Sequence, residues 1–232
     1  MTDSILRELE ELTTLTITPV IHGSERSDGL ESLVRSLATH FPEHPHVAEE
    51  LAAIWTGDLE IPGVVVHAWL LKLNGFPVGA TVFHTNLRRR TVLQHFVGID
   101  AEARSQLPLR WVQYLANAVF EVGIRDCEDA GTTLLASMGE NHAEHARTWE
   151  RFGYITLDID YREPRHGKHW REFGAPTFFA MTAQIRLTPA GLEEPFGDVV
   201  QSAVKAFLLD YYLLDPDEPT VVHTLELAAN LA

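Results

Sequence analysis

The chain is most tightly constrained between Val64 and Ile99, where three stretches rich in β-branched and aromatic residues follow one another across two short turns. Residues 64–73 run into Asn74-Gly75, a pair that tolerates positive φ and is the strongest short hairpin signal, and residues 77–85 follow. A second turn at 87–90 leads into a third strand, Thr91 to Ile99. Connections this short cannot carry a crossover, so the three strands must form an antiparallel meander.

Helical and strand periods alternate around that meander. Ile5, Leu6, Leu9 and Leu12 predict a short amphipathic helix, and residues 14–21 alternate like a strand. Ser27 is a cap candidate for a helix carrying Leu30, Leu33, Val34 and Leu37, which should end at Phe41-Pro42. Val47, Leu51, Ile54 and Trp55 share one face of a further helix, and residues 58–63 form a turn. After the meander, Trp111, Leu115, Ala118, Val119 and Val122 give one helix an apolar stripe. Residues 132–138 read as a strand buried on both faces. A helix after Asn141 should end at Phe152-Gly153, with Gly153 as a left-handed cap. Strands at 154–161 and 177–187 flank a polar loop.

Past Pro189 the composition shifts. Residues 199–212 and 221–231 predict two helices around a break at Asp215-Pro216, with one strongly apolar face. That face must be buried, either over the preceding domain or against a second copy in a two-fold dimer. The domain reading is 1–189 as the main domain and 190–232 as a helical extension.

Composition narrows the function classes. With 18 Lys+Arg against 33 Asp+Glu the formal charge is −15, a surface that repels phosphate backbones and anionic lipid and disfavours nucleic acid and membrane partners. The one cysteine, Cys127, excludes a disulfide framework and a cysteine-based zinc site. The acidic start lacks the apolar core of a signal peptide, and no apolar run reaches the roughly 18 residues of a membrane span, so a cytoplasmic location is expected.

Chemistry is expected first where the third strand ends. Asp100 closes it, a loop follows, and Pro108 marks the first turn of the next helix, where its missing N–H costs nothing. A strand feeding a helix N-terminus is a ready anion site. Among the twelve histidines, the pairs His44/His46, His142/His145 and His166/His169 invite a metal reading. His142-Ala-Glu-His145 is one residue short of the H-E-x-x-H spacing, so solvated surface histidines are the reading favoured for all three pairs and no metal is expected. Arg88-Arg89-Arg90 reads as a solvated hairpin tip, and the basic, His-rich and aromatic loop at 161–175 as a substrate-covering segment.

The run Val97-Gly-Ile-Asp-Ala-Glu-Ala-Arg104 and the segment from Asn141 through Trp149 to Phe152-Gly153-Tyr154, set in this order of elements over residues 14–187, resemble the GNAT acyltransferase superfamily. That resemblance implies an α/β (α+β) fold: a mixed, mostly antiparallel sheet flanked by helices, here with an added C-terminal helical tail. It implies acyl-coenzyme A, acetyl-CoA above all, as cosubstrate for N-acetyltransferase chemistry, and a small-molecule or peptide amine as acceptor. It places the pantetheine arm along Val97, Gly98 and Ile99. It places the diphosphate at Arg104, Ser105, Gln106, Leu107, Leu109 and Arg110, with Asn141 also at the cofactor. Family members carry glycines in that loop where this chain has Ser105, Leu107 and Leu109, and Pro108 removes one N–H; Arg104 and Arg110 can supply charge instead. Where relatives place a Tyr near the sulfur this chain has Trp149, leaving His145 as the nearest acid, and His95 is the one strand residue that can take a proton near pH 7. The alternatives are that His95 and His145 are surface polar residues, and that the chain is a catalytically inactive binding or assembly module.

Overall fold

The computed structural model describes residues 2–164 and 177–231. In chain order they form α1 (Thr2–Thr13), β1 (Thr16–His22), β2 (Glu25–Arg26), α2 (Leu30–His40), α3 (His46–Thr56), β3 (Val64–Leu73), β4 (Phe76–Asn86), β5 (Thr91–Ile99), α4 (Ala101–Arg104) and α5 (Trp111–Asp129). Then come β6 (Ala136–Asn141), a 3₁₀ turn (Ala143–His145), α6 (Ala146–Glu150), β7 (Ile155–Thr156), β8 (Arg162–Pro164), β9 (Phe178–Ala180) and β10 (Thr182–Leu187). The C-terminal segment holds α7 (Pro189–Leu192), α8 (Phe196–Lys205), a π-helical turn (Ala206–Tyr211) and α9 (Pro219–Ala229). Among the described residues eight strands form one sheet in the order β2-β1-β3-β4-β5-β6-β10-β7, and β8 pairs with β9 apart from it. The β1–β2, β1–β3, β6–β10 and β7–β10 ladders are antiparallel, and β5 pairs with β6 in parallel.

The meander is present as predicted. Asn74 and Gly75 both take positive φ, which joins β3 to β4 through a two-residue turn. The stripe of α5 is buried at Trp111, Leu115, Ala118, Val119 and Val122. Several boundaries differ for physical reasons. Ser27 does not cap α2: its hydroxyl donates to the Pro19 carbonyl, and Gly29 occupies the cap position. The strand expected at 132–138 begins only at Ala136, where pairing with β5 and β10 starts. The strand expected at 154–161 shrinks to Ile155–Thr156, the two residues that reach a ladder with β10. At its cap, Gly153 takes φ 86°, as the helix-ending Gly predicted.

Two compact units divide the chain, one holding residues 2–84 and 95–122, the other 85–94, 123–164 and 177–231. The core of the first packs α2 and α3, through Leu33, Leu37, Val47, Leu51 and Ile54, on β1, β3, β4 and β5. The core of the second packs the C-terminal helices, through Val200, Val204, Phe207 and Val221, on Ala136, Met138, Ala183 and Ile185 of β6 and β10. The apolar face of the tail is thus spent within its own unit. None of the described helices is long and apolar enough to cross a membrane.

Candidate functional site

The site is built first by the way β5 ends. Its ladder with β6 runs from Thr91↔Ala136 to Gln94↔Gly139 and stops there, while β5 continues through His95, Phe96, Val97 and Gly98 to Ile99. At Gly98 the surroundings admit no side chain, because an added Cβ would lie 2.7 Å from the Cβ of His40 at the end of α2. His40 Nε2 lies 3.3 Å from Asp100 Oδ1, so α2 is fastened across the C-terminal end of the strand.

Beyond Asp100 the loop expected to open its amides closes on itself instead. Ala101–Arg104 forms a turn of helix, and Arg104 N donates to Asp100 O at 2.9 Å. Ser105 N donates to Ala101 O at 3.3 Å, Gln106 N to Ala103 O at 2.9 Å and Leu107 N to Arg104 O at 3.3 Å. Pro108 has no N–H to offer, and α5 starts at Trp111 rather than at Pro108. Four amides predicted for a diphosphate therefore serve local turns. The two leucines separate: Leu107 is buried, and Leu109 stands wholly in solvent. Arg104 and Arg110 are exposed and form no ion pair among the described residues, so the charge available to an anion here is carried by guanidinium groups.

His95 belongs to a run of imidazoles in the same unit. Its ring lies 4.3 Å from that of His84. His67 stacks on Phe83 at 4.6 Å and meets His22 with an Nδ1···Nδ1 separation of 2.9 Å. Although the His95 residue retains some surface exposure, its Nε2 is out of solvent. Burial, then His84 and His46, hold its pKa well below the usual imidazole value. Burial, then His67, takes His84 down to about 3, and burial, then His44, takes His46 down to about 4. All three are neutral at pH 7. The surface reading of His46 is corrected: it opens α3 facing inward, a position the stripe starting at Val47 did not mark.

Also in that unit, an open pocket of about 130 Å³ lies between the end of α2, the start of α3 and β5, lined by Leu37, Phe41, His44, Val47, Ala48 and Phe96 among others. Phe41 meets Phe96 edge to face at 4.9 Å, and His44 meets Phe96 at 5.3 Å.

In the other unit, the last rung of the short ladder carries a buried polar cluster. Gln94 Nε2 donates to Ser137 Oγ at 3.1 Å and to the Tyr154 hydroxyl, and the two hydroxyls are 3.1 Å apart. Burial pushes the Tyr154 phenol up to about 12 against the hydrogen bonds that favour its ionised form. Asn141 donates to Gln184 Oε1 at 3.1 Å. His145 and His142 are exposed, and Trp149 packs on Tyr154 with ring centroids 5.3 Å apart.

A second cluster was not read from the sequence at all. Tyr161 and Tyr212 both donate to the Glu140 carboxylate, Tyr212 at 2.5 Å, and burial raises the Glu140 pKa to about 7 although both hydrogen bonds favour the anion. The arginine triplet is not a solvated tip. Asn86 and Arg89 donate to Asp210 Oδ2, each at 2.9 Å, Arg88 reaches Oδ1, and Arg90 donates to the Thr133 carbonyl at 2.8 Å. Of the loop expected to cover substrate, His166 and His169 included, residues 165–175 lie outside the described residues. No group of three or more His, Cys, Asp or Glu among the described residues is arranged to hold a metal. The only hint of the Glu140 and Asp210 clusters in the sequence was polar residues inside apolar stretches.

No protein-family model matches the chain, and no curated protein does. Solved structures resemble it at low identity. An acetyltransferase of Bacillus subtilis in complex with CoA is 12% identical over 75% of this chain and 99% of its own, with a TM-score of 0.46. A chimera of the Vibrio cholerae spermidine N-acetyltransferase SpeG is 13% identical over 77% and 99%, with a TM-score of 0.48. A GNAT-family acetyltransferase from Bacteroides thetaiotaomicron, named as putative, is 13% identical over 80% and 92%, with a TM-score of 0.49.

Proposed function

We propose that this chain is a divergent GNAT-type acyltransferase that moves an acyl group, acetyl in the simplest case, from acyl-coenzyme A to an amine. One observation carries the reading: the parallel β5–β6 ladder stops at Gln94 while β5 runs on to Ile99 and straight into α4 and α5. A strand continuing past its partner can accept an extended, amide-bearing arm as an added strand does, and Val97, Gly98 and Ile99 would supply that edge.

The thioester supplies an activated acyl carbon; the chain's own residues bind, orient and handle protons. Arg104 and Arg110 would hold the diphosphate in place of the loop amides, which are engaged in turns. As the amine nitrogen bonds to the acyl carbon and the carbon–sulfur bond breaks, His95 would take the amine's proton, directly or through water, and the departing thiolate would take a proton from solvent. Kept neutral by burial, His95 always offers a ring lone pair, but its low basicity suits an amine that arrives uncharged. The backbone near Val97 would polarise the acyl carbonyl.

Calorimetry with acetyl-CoA tests the premise. Saturable binding is expected, weakened about tenfold in a Arg104→Ala/Arg110→Ala double variant, the cost of lost charge-assisted contacts. Absence of binding at millimolar ligand would sink the reading. Binding without thioester turnover across a panel of amines would leave an inactive binding module in its place.

A further inference from the structure

The pocket beside β5 bears on which amine is taken. Its walls are Leu37 and Phe41 from the end of α2, Val47 and Ala48 from α3, and Phe96 from β5, with the His44 imidazole beside Phe96. At about 130 Å³ it approaches the size of a cavity lined by aliphatic and aromatic side chains that takes up one benzene-sized ring, about 150 Å³. Phe41 and His44 both stand edge to face against Phe96, an arrangement whose edges and faces accept a further ring.

Charge narrows the ligand further. No carboxylate lines the pocket among the described residues. The Glu43 carboxylate is more than half exposed and lies 3.9 Å from His44 Nε2, so it can accept a hydrogen bond from one amine nitrogen at the mouth. A polyamine carries a separate charge at each nitrogen, and an ammonium pushed against these walls would lose its water without gaining a partner. His46, next to the lining residues Pro45 and Val47, brings no charge either, being neutral at pH 7.

Resting on the acyl-transfer reading above, we propose that the acceptor is a monoamine whose single substituent is a small apolar ring, seated in this pocket with its nitrogen at the His44 side. The ring's burial supplies affinity by removing apolar surface from water, and the walls set the size limit.

Benzylamine and spermidine are the probes, titrated separately into the full chain without coenzyme A and followed by ligand-observed NMR and thermal shift. Benzylamine is expected to bind saturably and to raise the melting temperature, spermidine to do neither. Ala48→Phe, which fills the pocket, is expected to weaken benzylamine at least tenfold while acetyl-CoA binding stays unchanged. Ala48→Val, a smaller intrusion, should give an intermediate loss and keeps the test open should the larger variant not fold. Equal binding of spermidine, or wild-type benzylamine affinity in a folded Ala48→Phe chain, would overturn the proposal while leaving acyl transfer standing. Benzylamine binding in a chain that binds no acetyl-CoA would instead remove the acyl-transfer reading and, with it, the ring amine's role as acceptor.

Discussion

Gly98 shows how much of the site rests on one atom. Replacing it with Ala would press a methyl group to 2.7 Å of His40 Cβ, and overpacking of this kind costs about 1–3 kcal/mol. Gly98→Ala should therefore lower the urea midpoint, and His40→Gly in the same chain, which removes that Cβ, should restore part of it. A midpoint equal to wild type in the single variant would show that α2 yields instead. The sequence offered a glycine at the strand's end but not the reason for it, because the His40 imidazole approaches from 58 positions away in the chain. His95 was legible as a titratable residue on the strand, since residue type and strand register are local. That it stands in a run of closely packed imidazoles was not legible, because His84, His67 and His46 come from three other elements.

Among the elements, the β4–β5 hairpin is held by the C-terminal segment. Asp210, in the π-helical turn, accepts from Asn86, Arg88 and Arg89 and is only 10% exposed as a side chain. The extra residue of a π turn shifts side chains relative to the preceding helix, and such turns recur where one group must be aimed. Asp210→Ala leaves two cations and an amide without their acceptor and is expected to cost roughly 2–3 kcal/mol by denaturant unfolding, a partly exposed version of breaking a buried pair. Arg88→Ala should cost under about 1 kcal/mol, since Arg88 is mostly in solvent. Equal losses from the two would contradict this division. Faster amide exchange across residues 86–91 in Asp210→Ala would localise the effect. Element types were readable here from period and turn chemistry: the strand Thr91–Ile99 has the predicted bounds, since turn residues precede it and Asp100 follows. The edges of β6 and β7 were not, because a ladder partner rather than an apolar run decides where a strand starts.

At the scale of the whole molecule, the tail's docking on β6 contains a titrating group. Glu140 holds its proton up to about 7 in the folded chain against an ordinary value of 4.5, because burial outweighs the hydrogen bonds from Tyr161 and Tyr212. A raised carboxyl pKa stabilises the fold where both states are protonated, below about 4.5. That contribution is lost as pH rises through about 7, since the unfolded chain has already released its proton. Stability of the wild type against urea should thus decline between these values more steeply than that of Glu140→Gln; identical pH slopes would remove Glu140 as the cause. By itself the sequence determined the meander, the helices with their apolar stripes, and an acidic chain with a tail that had to bury one face, all of which follow from residue periods and local turn geometry. Only the tertiary structure decided that the tail is spent on β6 and β10, that the loop amides after Asp100 close on their own carbonyls, and that histidines and tyrosines far apart in the chain share buried clusters. Those outcomes depend on which distant surfaces compete for each polar group, and no local pattern encodes that competition.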